Sequence, residues 1–342
     1  MKRVIFSFLA VLFLVCSCAC HSRGSGEQIT MTLKTSAEAV HIRLMGSGTA
    51  TVDWGDGSKK ETREPELYDE FDNSMAFIFW REFSDTNTRT VTITGKNIWG
   101  MVVLYSQLTE LDVSQNTALT FLDCSNNLLT TLDVSRNTAL IELNCADNFI
   151  TELDVSQNTA LKYLNCSSNL LTELDIRRKT ELERLYVRNN FLTELDVSKN
   201  TALWVLACDN NQLTALEVRQ NVALKNLHCG DNQLKELDVS QNTVLMHLYC
   251  ENNQLTDLNV SQNTGLMFMV CADNQLTTLD VSQNTLLYHL NISGNQFSAS
   301  ALNNLFGTIR RNGVAIHISG NPGSANCDPS IAEKRGWSVV RD

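Results

Sequence analysis

The chain has 342 residues, 43% of them hydrophobic, and its 27 Lys and Arg against 38 Asp and Glu leave a formal net charge of −11. That balance disfavours nucleic acid and anionic lipid surfaces as partners. Apart from the N-terminal export segment, no stretch is apolar over the roughly 20 residues that a bilayer span needs.

At the N-terminus Lys2 and Arg3 precede an apolar run over residues 4–15, the shape of a secretory signal occupying residues 1–17. Val15-Cys16-Ser17-Cys18 follows and resembles a bacterial lipobox. The resemblance implies cleavage before Cys18, lipidation of its thiol and a short lipidated tether over residues 18–27; a plain signal peptide cut nearby is the alternative. Each buried methylene of an acyl chain contributes about 0.8 kcal/mol, so several chains on Cys18 would hold the protein firmly on a membrane. Loss of Lys2 and Arg3 with the signal makes the mature chain more acidic still.

Residues 28–96 carry short alternating runs at 29–33, 40–44, 50–54, 75–79 and 90–94, separated by turn residues. Such runs predict a small β-sandwich. Within it Val52-Asp53-Trp54-Gly55-Asp56-Gly57-Ser58 resembles the Trp-Gly-Asp-Gly hallmark of PKD-type immunoglobulin-like domains, with Gly55 and Gly57 in a hairpin turn. Phe79-Trp80-Arg81-Glu82-Phe83 stands where that family has a His-x-Tyr element. The resemblance implies a module that spaces or presents its neighbour, without catalysis.

From residue 97 to 297 a 21-residue frame recurs ten times, cleanest as Leu119-x-x-Leu122-x-Cys124-x-x-Asn127-x-Leu129 and degenerate at its start as Ile98-x-x-Met101-x-Val103-x-x-Ser106-x-Leu108. Apolar residues alternate in Leu143-Asn144-Cys145 and its counterparts, which predicts short strands paired in parallel about 4.8 Å apart. Asn127, Asn148 and their successors to Asn295 stand where the chain leaves each strand, and a buried amide ladder there would satisfy the backbone of adjacent turns. One unit cannot bury its apolar side alone, but a stack can, so the expected architecture is a solenoid. This frame resembles the bacterial leucine-rich repeat proteins, LxxLxLxxNxL, with Cys usually in the third apolar position. Leu129-x-x-Leu132-x-Val134-x-x-Asn137 obeys the same rule, so the unit resembles the nested 21-residue subclass, which implies a second strand-like or extended ladder opposite the first. The segment Leu-Asp-Val-Ser-x-Asn-Thr, seen at residues 111–117 and 153–159, resembles internalin-like lipoproteins of gut Bacteroidota. That resemblance implies an outer-membrane, lipid-anchored location. Ala19-Cys20-His21-Ser22-Arg23 lacks the acidic run that marks surface export in such proteins, which leaves surface-exposed and periplasm-facing orientations both open.

Two further repeat positions need a reading. Asp112, Asp133, Asp154, Asp175, Asp196, Glu217, Asp238 and Asp280 share one position; either the stacked carboxylates gather calcium, or each bonds to the turn that follows it, and the second account is simpler. Cys124, Cys145, Cys166, Cys208, Cys229, Cys250 and Cys271 share another, where Val187 and Ile292 stand in other copies. They read as small core hydrophobes rather than disulfides or metal ligands, since neighbouring Cβ atoms point the same way and no Cys-x-x-Cys pair is present. Beyond residue 297 the pattern changes: 298–309 predicts a helix beginning at Ser298, Ile316-x-Ile318-x-x-Asn321 recovers the strand, and 329–335 and 337–340 predict a short helix and an edge strand. Residues 298–342 thus fit an α/β end cap for the open last layer.

Repeating positions serve the architecture, so function is sought in the positions that vary. Flanking the second Leu of the frame are Trp99, Phe121, Tyr163, Arg184, Tyr186, Trp204, His228, His247, Tyr249, Phe268, Tyr288 and His289. An aromatic strip with sparse charge on a polar rod has the composition of a recognition surface. Padding of a β surface by residues of high strand propensity is the plainer alternative. His228, His247 and His289 are not accompanied by a nucleophile or acid constellation, and no phosphate loop or hydrolase elbow occurs. The expectation is therefore a non-enzymatic, monomeric, lipid-anchored binding protein for a protein ligand, needing no cofactor or metal; a glycan-binding accessory lipoprotein and a structural envelope spacer are the alternatives. Cys18→Ala is expected to release the protein from the membrane fraction, and N-terminal sequencing should place Cys18 first in the mature wild-type chain; a mature terminus beyond Cys20 would exclude the lipobox.

Overall fold

The computed structural model describes residues 29–69, 74–311 and 313–341; the export segment, Cys18 and the whole tether lie outside them. Seven strands come first: β1 (Ile29–Thr35), β2 (Ala39–Gly46), β3 (Ala50–Asp53), β4 (Glu61–Arg63), β5 (Glu66–Asp69), β6 (Ser74–Glu82) and β7 (Arg89–Gly95). Their alternating residues, Leu33, Ile42, Val52, Phe79 and Ile93 among them, are buried in a core shared with the repeats. Trp54 is buried too and donates its indole N–H to Glu61 at 3.2 Å. Gly55, at φ 71°, lies so close to β7 that a Cβ there would stand 2.2 Å from the Thr90 carbonyl oxygen, which only glycine allows.

Two further strands join this region to the repeats. β8 (Ile98–Val103) pairs antiparallel with β2 on one side and parallel with β10 (Phe121–Asp123) on the other. β9 (Leu108–Asp112) pairs antiparallel with β1. One sheet therefore runs unbroken through fifteen strands, from β5 through β6, β2, β8 and β10 to the last strand of the chain.

From β10 onward each unit opens with a three-residue strand: β11 (Glu142–Asn144), β12 (Tyr163–Asn165), β13 (Arg184–Tyr186), β14 (Val205–Ala207), β15 (Asn226–His228), β16 (His247–Tyr249), β17 (Phe268–Val270) and β18 (His289–Asn291). All pair in parallel and in register, with Leu122 opposite Leu143 and Leu143 opposite Leu164. α1 (Ala299–Thr308) follows, begun by the Ser298 hydroxyl accepting from Ala301 N–H. Then come β19 (Ala315–His317), α2 (Ser330–Glu333) and β20 (Ser338–Val340). The molecule is a mainly β leucine-rich repeat solenoid of about eleven turns. A 21-residue ruler finds ten of them. The helix widens the next interval to 26 residues, as between Ser293 and Ser319, so the turn carrying β19 falls outside a fixed period.

The turn after each strand holds the stack together. Asn148 accepts from Leu129 N–H at 3.0 Å and donates to the carbonyls of Cys124, Cys145 and Ala146 at 3.1 to 3.2 Å. Asn169, Asn190, Asn211, Asn232, Asn253, Asn274 and Asn295 repeat the pattern. The residue before each ladder asparagine from Asn127 to Asn274 takes a left-handed conformation: Asn126, Asp147, Ser168, Asn189, Asn210, Asp231, Asn252 and Asp273 have φ of 50 to 58°. Asn and Asp are the side chains that tolerate this best, which explains seven of the eight.

The expected second ladder is only partly strand. β9 is its one strand among the described residues; in later units the path is extended and joined by sparse bonds such as Phe149 N–H to Leu129 O at 2.8 Å. A second amide column closes this side. Asn137 donates to Val113 O at 3.0 Å and Asn116 O at 2.7 Å, and the arrangement continues to Asn284. Lys179 takes this place in one unit, fully buried, with Nζ 3.4 Å from Ser156 O and a pKa lowered by burial. The acidic column forms turns: the Asp154 and Asp196 carboxylates accept from the Ser156 and Ser198 N–H groups at 2.7 and 2.9 Å, and the hydroxyl of Ser198 with its N–H, like the N–H and hydroxyl of Ser156, holds them below the usual carboxylate range.

All seven repeat cysteines are free and buried at 0% exposure, with Val187 and Ile292 completing the column. Burial pushes the Cys166 and Cys271 thiols up to about 12. The folded chain is therefore expected to resist thiol reagents at neutral pH and to react at all seven only after denaturation, and Cys208→Ser should destabilise by roughly 1 to 3 kcal/mol through an ill-satisfied buried hydroxyl. Rapid labelling of the native ladder would contradict this.

Candidate functional site

On a three-residue strand the middle side chain points in and its neighbours point out, so in-register pairing lines up the outward residues of successive turns as rows. One row contains Phe121, Glu142, Tyr163, Arg184, Val205, Asn226, His247, Phe268 and His289. The other contains Asp123, Asn144, Asn165, Tyr186, Ala207, His228, Tyr249, Val270 and Asn291, and ends at His317. Nine of the residues singled out from sequence lie in these two rows. Trp99, Trp204 and Tyr288 do not flank the inward Leu. They belong to a third row one residue earlier, traced by backbone bonds from Thr120 N–H to Trp99 O, from Lys225 N–H to Trp204 O and from Val314 N–H to Tyr288 O. The physical reason is position: Val205 stands between Trp204 and Leu206, so Trp204 precedes the strand Val205–Ala207 rather than flanking its centre.

The aromatics form two groups. In the first, the Tyr163 and Tyr186 rings lie 5.6 Å apart, and the Arg184 guanidinium covers Tyr163 at 4.8 Å and Trp204 at 5.9 Å. In the second, His228 stacks on Tyr249 at 4.3 Å and 9°, Tyr249 leans on Phe268 at 5.4 Å, and Phe268 stacks on His289 at 4.1 Å and 4°. His317 extends this group, 5.2 Å from His289. It was not among the sequence candidates, although the recovered Ile316-x-Ile318 frame marks its position. Buried Val205 and Ala207 separate the groups on β14. Phe121 lies near the N-terminal end of the row, beside Gly100 of β8.

These rings are half-buried rather than free. Burial raises the Tyr163 phenol to about 12 and lowers the His228 imidazole to about 4, with Arg188 and His247 adding to the latter. His289 is lowered as well, by burial and then by His317. His247 is engaged through Nδ1 with the Asn226 side-chain oxygen at 2.6 Å. Charges on this face are largely paired: Arg184 with Glu142 at 3.8 Å, Arg188 with Asp209 at 2.9 Å and Lys162 with Glu183 at 3.5 Å. Burial raises the pKa of Asp123, Glu142, Asp209 and Glu251. Chemically the face is an amphipathic, stiffened surface of ring edges, amides and paired charges.

Solved structures of similar shape include internalin-type leucine-rich repeat proteins. The functional domain of InlJ from Listeria monocytogenes, described as including a cysteine ladder, matches at 34% identity and TM-score 0.66, over 73% of this chain and 55% of that one. An internalin, InlF, from Listeria monocytogenes strain 4b F2365 matches at 23% identity and TM-score 0.51, over 65% of this chain and 74% of that one. The plant peptide hormone receptor RGFR1 in complex with RGF2 matches at 20% identity and TM-score 0.55, over 67% and 40%; the last two likenesses concern the fold alone. This chain thus spans about half the length of the InlJ structure. No protein-family profile and no curated protein matches it.

The stacked imidazole of His228 has a measurable consequence. The unfolded chain takes up a proton there near pH 6.5 and the folded chain only near 4, so this residue contributes an acid-side loss of stability as pH falls from 6.5 to 4. NMR titration should place its midpoint close to 4, and the melting temperature of His228→Phe should gain on wild type as pH falls from 7 to 4.5. A midpoint near 6.5, or a difference independent of pH, would refute the burial of this ring.

Proposed function

We propose that this leucine-rich repeat solenoid is a non-catalytic cell-envelope lipoprotein whose strand face binds a protein ligand, in adhesion or in contact with a host or neighbouring cell surface. Cys18 would carry the lipid in a bacterial outer membrane, residues 28–96 would serve as a PKD-like spacer, and residues 298–342 would close the far end of the rod. The protein would act as a monomer.

The stacking of the rings carries the choice of ligand class. Sugar recognition by aromatics uses open ring faces, but one face each of His228, Tyr249, Phe268 and His289 is taken up by a stacked neighbour. What they present outward is edges and polar tips, a surface suited to side chains and backbone of a protein. The histidines that invite a catalytic reading are used in stacking or in the Asn226 bond, with no nucleophile held against them among the described residues. The likeness in fold to a receptor solved with a peptide hormone is in keeping with a protein or peptide ligand.

Pull-down with the soluble ectodomain tests this. Tyr186→Ala and Trp204→Ala should each weaken capture by about 2 kcal/mol or more, as anchors do. Because the rings pack on neighbours, each change should also cost some stability, on the order of 1 kcal/mol for a lost ring pair. Asp154→Asn with Asp196→Asn on the turn side should leave capture intact. Equal losses from both sets would move the site off the strand face.

A further inference from the structure

The third row, at the entrance to the strands, changes character along the rod. A fourth row stands two residues before it: Ala118, Ala139, Ala160, Glu181, Ala202, Ala223, Val244, Gly265 and Leu286. The residue between the two rows is always a buried Leu, so both rows face outward. In the early units they mix Ala, Trp99, Ile141 and Trp204 with Thr120, Lys162, Glu181 and Glu183. From β16 onward they are apolar: Met246, Met267, Tyr288 and Val314 in the third row, Val244 and Leu286 in the fourth. Exposure here is high for such side chains, at 45% for Val244, 57% for Leu286 and 63% for Val314.

Gly265 interrupts this patch. It lies between Val244 and Leu286, with Met246, Met267 and Tyr288 alongside, and its missing side chain opens a notch one residue wide. The backbone does not require glycine there: a Cβ would meet nothing nearer than Leu245 O at 3.7 Å, an ordinary contact, and its φ is not in the left-handed region. Cations stand on both sides of the notch in chain order. Lys225 precedes Met246 in the third row, and exposed Arg310 and Arg311 come just before Val314 at the other end. Neither row carries an acid from Ala223 onward, in a chain whose net charge is −11.

We propose that the Gly265 notch seats an apolar side chain of a protein partner whose flanking residues are acidic. The proposal rests on the protein-binding reading of the strand face and extends it, since Phe268 and Tyr288, whose rings meet edge to face at 6.2 Å, join the notch to the ring strip. Apolar anchors held in a pocket with a polar rim are the usual centre of a protein interface, and Met246 and Met267 supply walls that adjust to the anchor. Complementary charge at the two ends selects an acid-flanked segment over a basic one.

The test uses the full-length chain, immobilised, and three synthetic peptides sharing a central Leu-Phe pair, flanked by Glu, by Lys or by Ser. The Glu-flanked peptide should bind best and weaken with salt. Gly265→Leu, which fills the notch and is compatible with the fold because Leu286 occupies the same row, should lower that affinity at least tenfold. Lys225→Glu combined with Arg310→Glu and Arg311→Glu should transfer the preference to the Lys-flanked peptide. Equal binding of the three peptides, or unchanged binding to Gly265→Leu, overturns the proposal. A wild-type dimer in sedimentation that Gly265→Leu dissolves overturns it as well, because a second copy would then be the occupant. If Tyr186→Ala loses ectodomain capture while Gly265→Leu keeps it, the strand-face reading stands and the notch falls; if neither change alters capture, both fall.

Discussion

The side-chain amide of one asparagine per turn governs the rest of this structure. A chain that leaves a three-residue strand at once has carbonyl and N–H groups pointing into an apolar interior, and each left unpaired there costs roughly 1 to 3 kcal/mol. Asn148 and its equivalents answer that cost with one acceptor and two donors, bonded to their own turn and to the turn before. Because each amide spans two turns, it also fixes their relative position. Sliding one turn by a residue would break every bond in the column.

Register held this firmly turns positions in the sequence into rows in space. Inward rows become ladders of one chemistry: Leu, Asn and a narrow column where Cys alternates with Val187 and Ile292. The thiols are chosen for volume, and burial suppresses their ionisation. Outward rows carry whatever the sequence puts there. Hence ring meets ring on successive strands near the 4.8 Å typical of strand spacing, which is close to the distance at which His228 lies on Tyr249. A strip of isolated aromatics becomes a braced surface without any loop to hold it.

The same register separates charge. The turn side carries a column of carboxylates tied into their own turns, as at Asp154 and Asp196, and held ionised by those bonds. The strand face pairs most of its charges internally, and burial raises the pKa of its acids. The molecule therefore shows an anionic flank and a nearly neutral, ring-rich face. Long-range repulsion at the flank and short-range complementarity at the face together bias how a partner approaches.

Periodicity alone determined the solenoid, the parallel strands, the inward Leu and Cys and the asparagine ladder, because each follows from a residue type recurring at a fixed interval under a fixed backbone geometry. The same logic found most of the ring strip, since residues beside an inward Leu must point out. Sequence could not place what depends on breaks in the period or on distant pairing. The frame recovered at Ile316-x-Ile318 places the strand beyond the helix but not the contact of His317 with His289, and β8 joins the repeats to β2 through antiparallel bonds between residues far apart in the chain. Nor could it show that the rings stack on one another or that Gly265 leaves an opening between Val244 and Leu286. Those facts are relations between turns, and a relation between turns exists only once the turns are stacked.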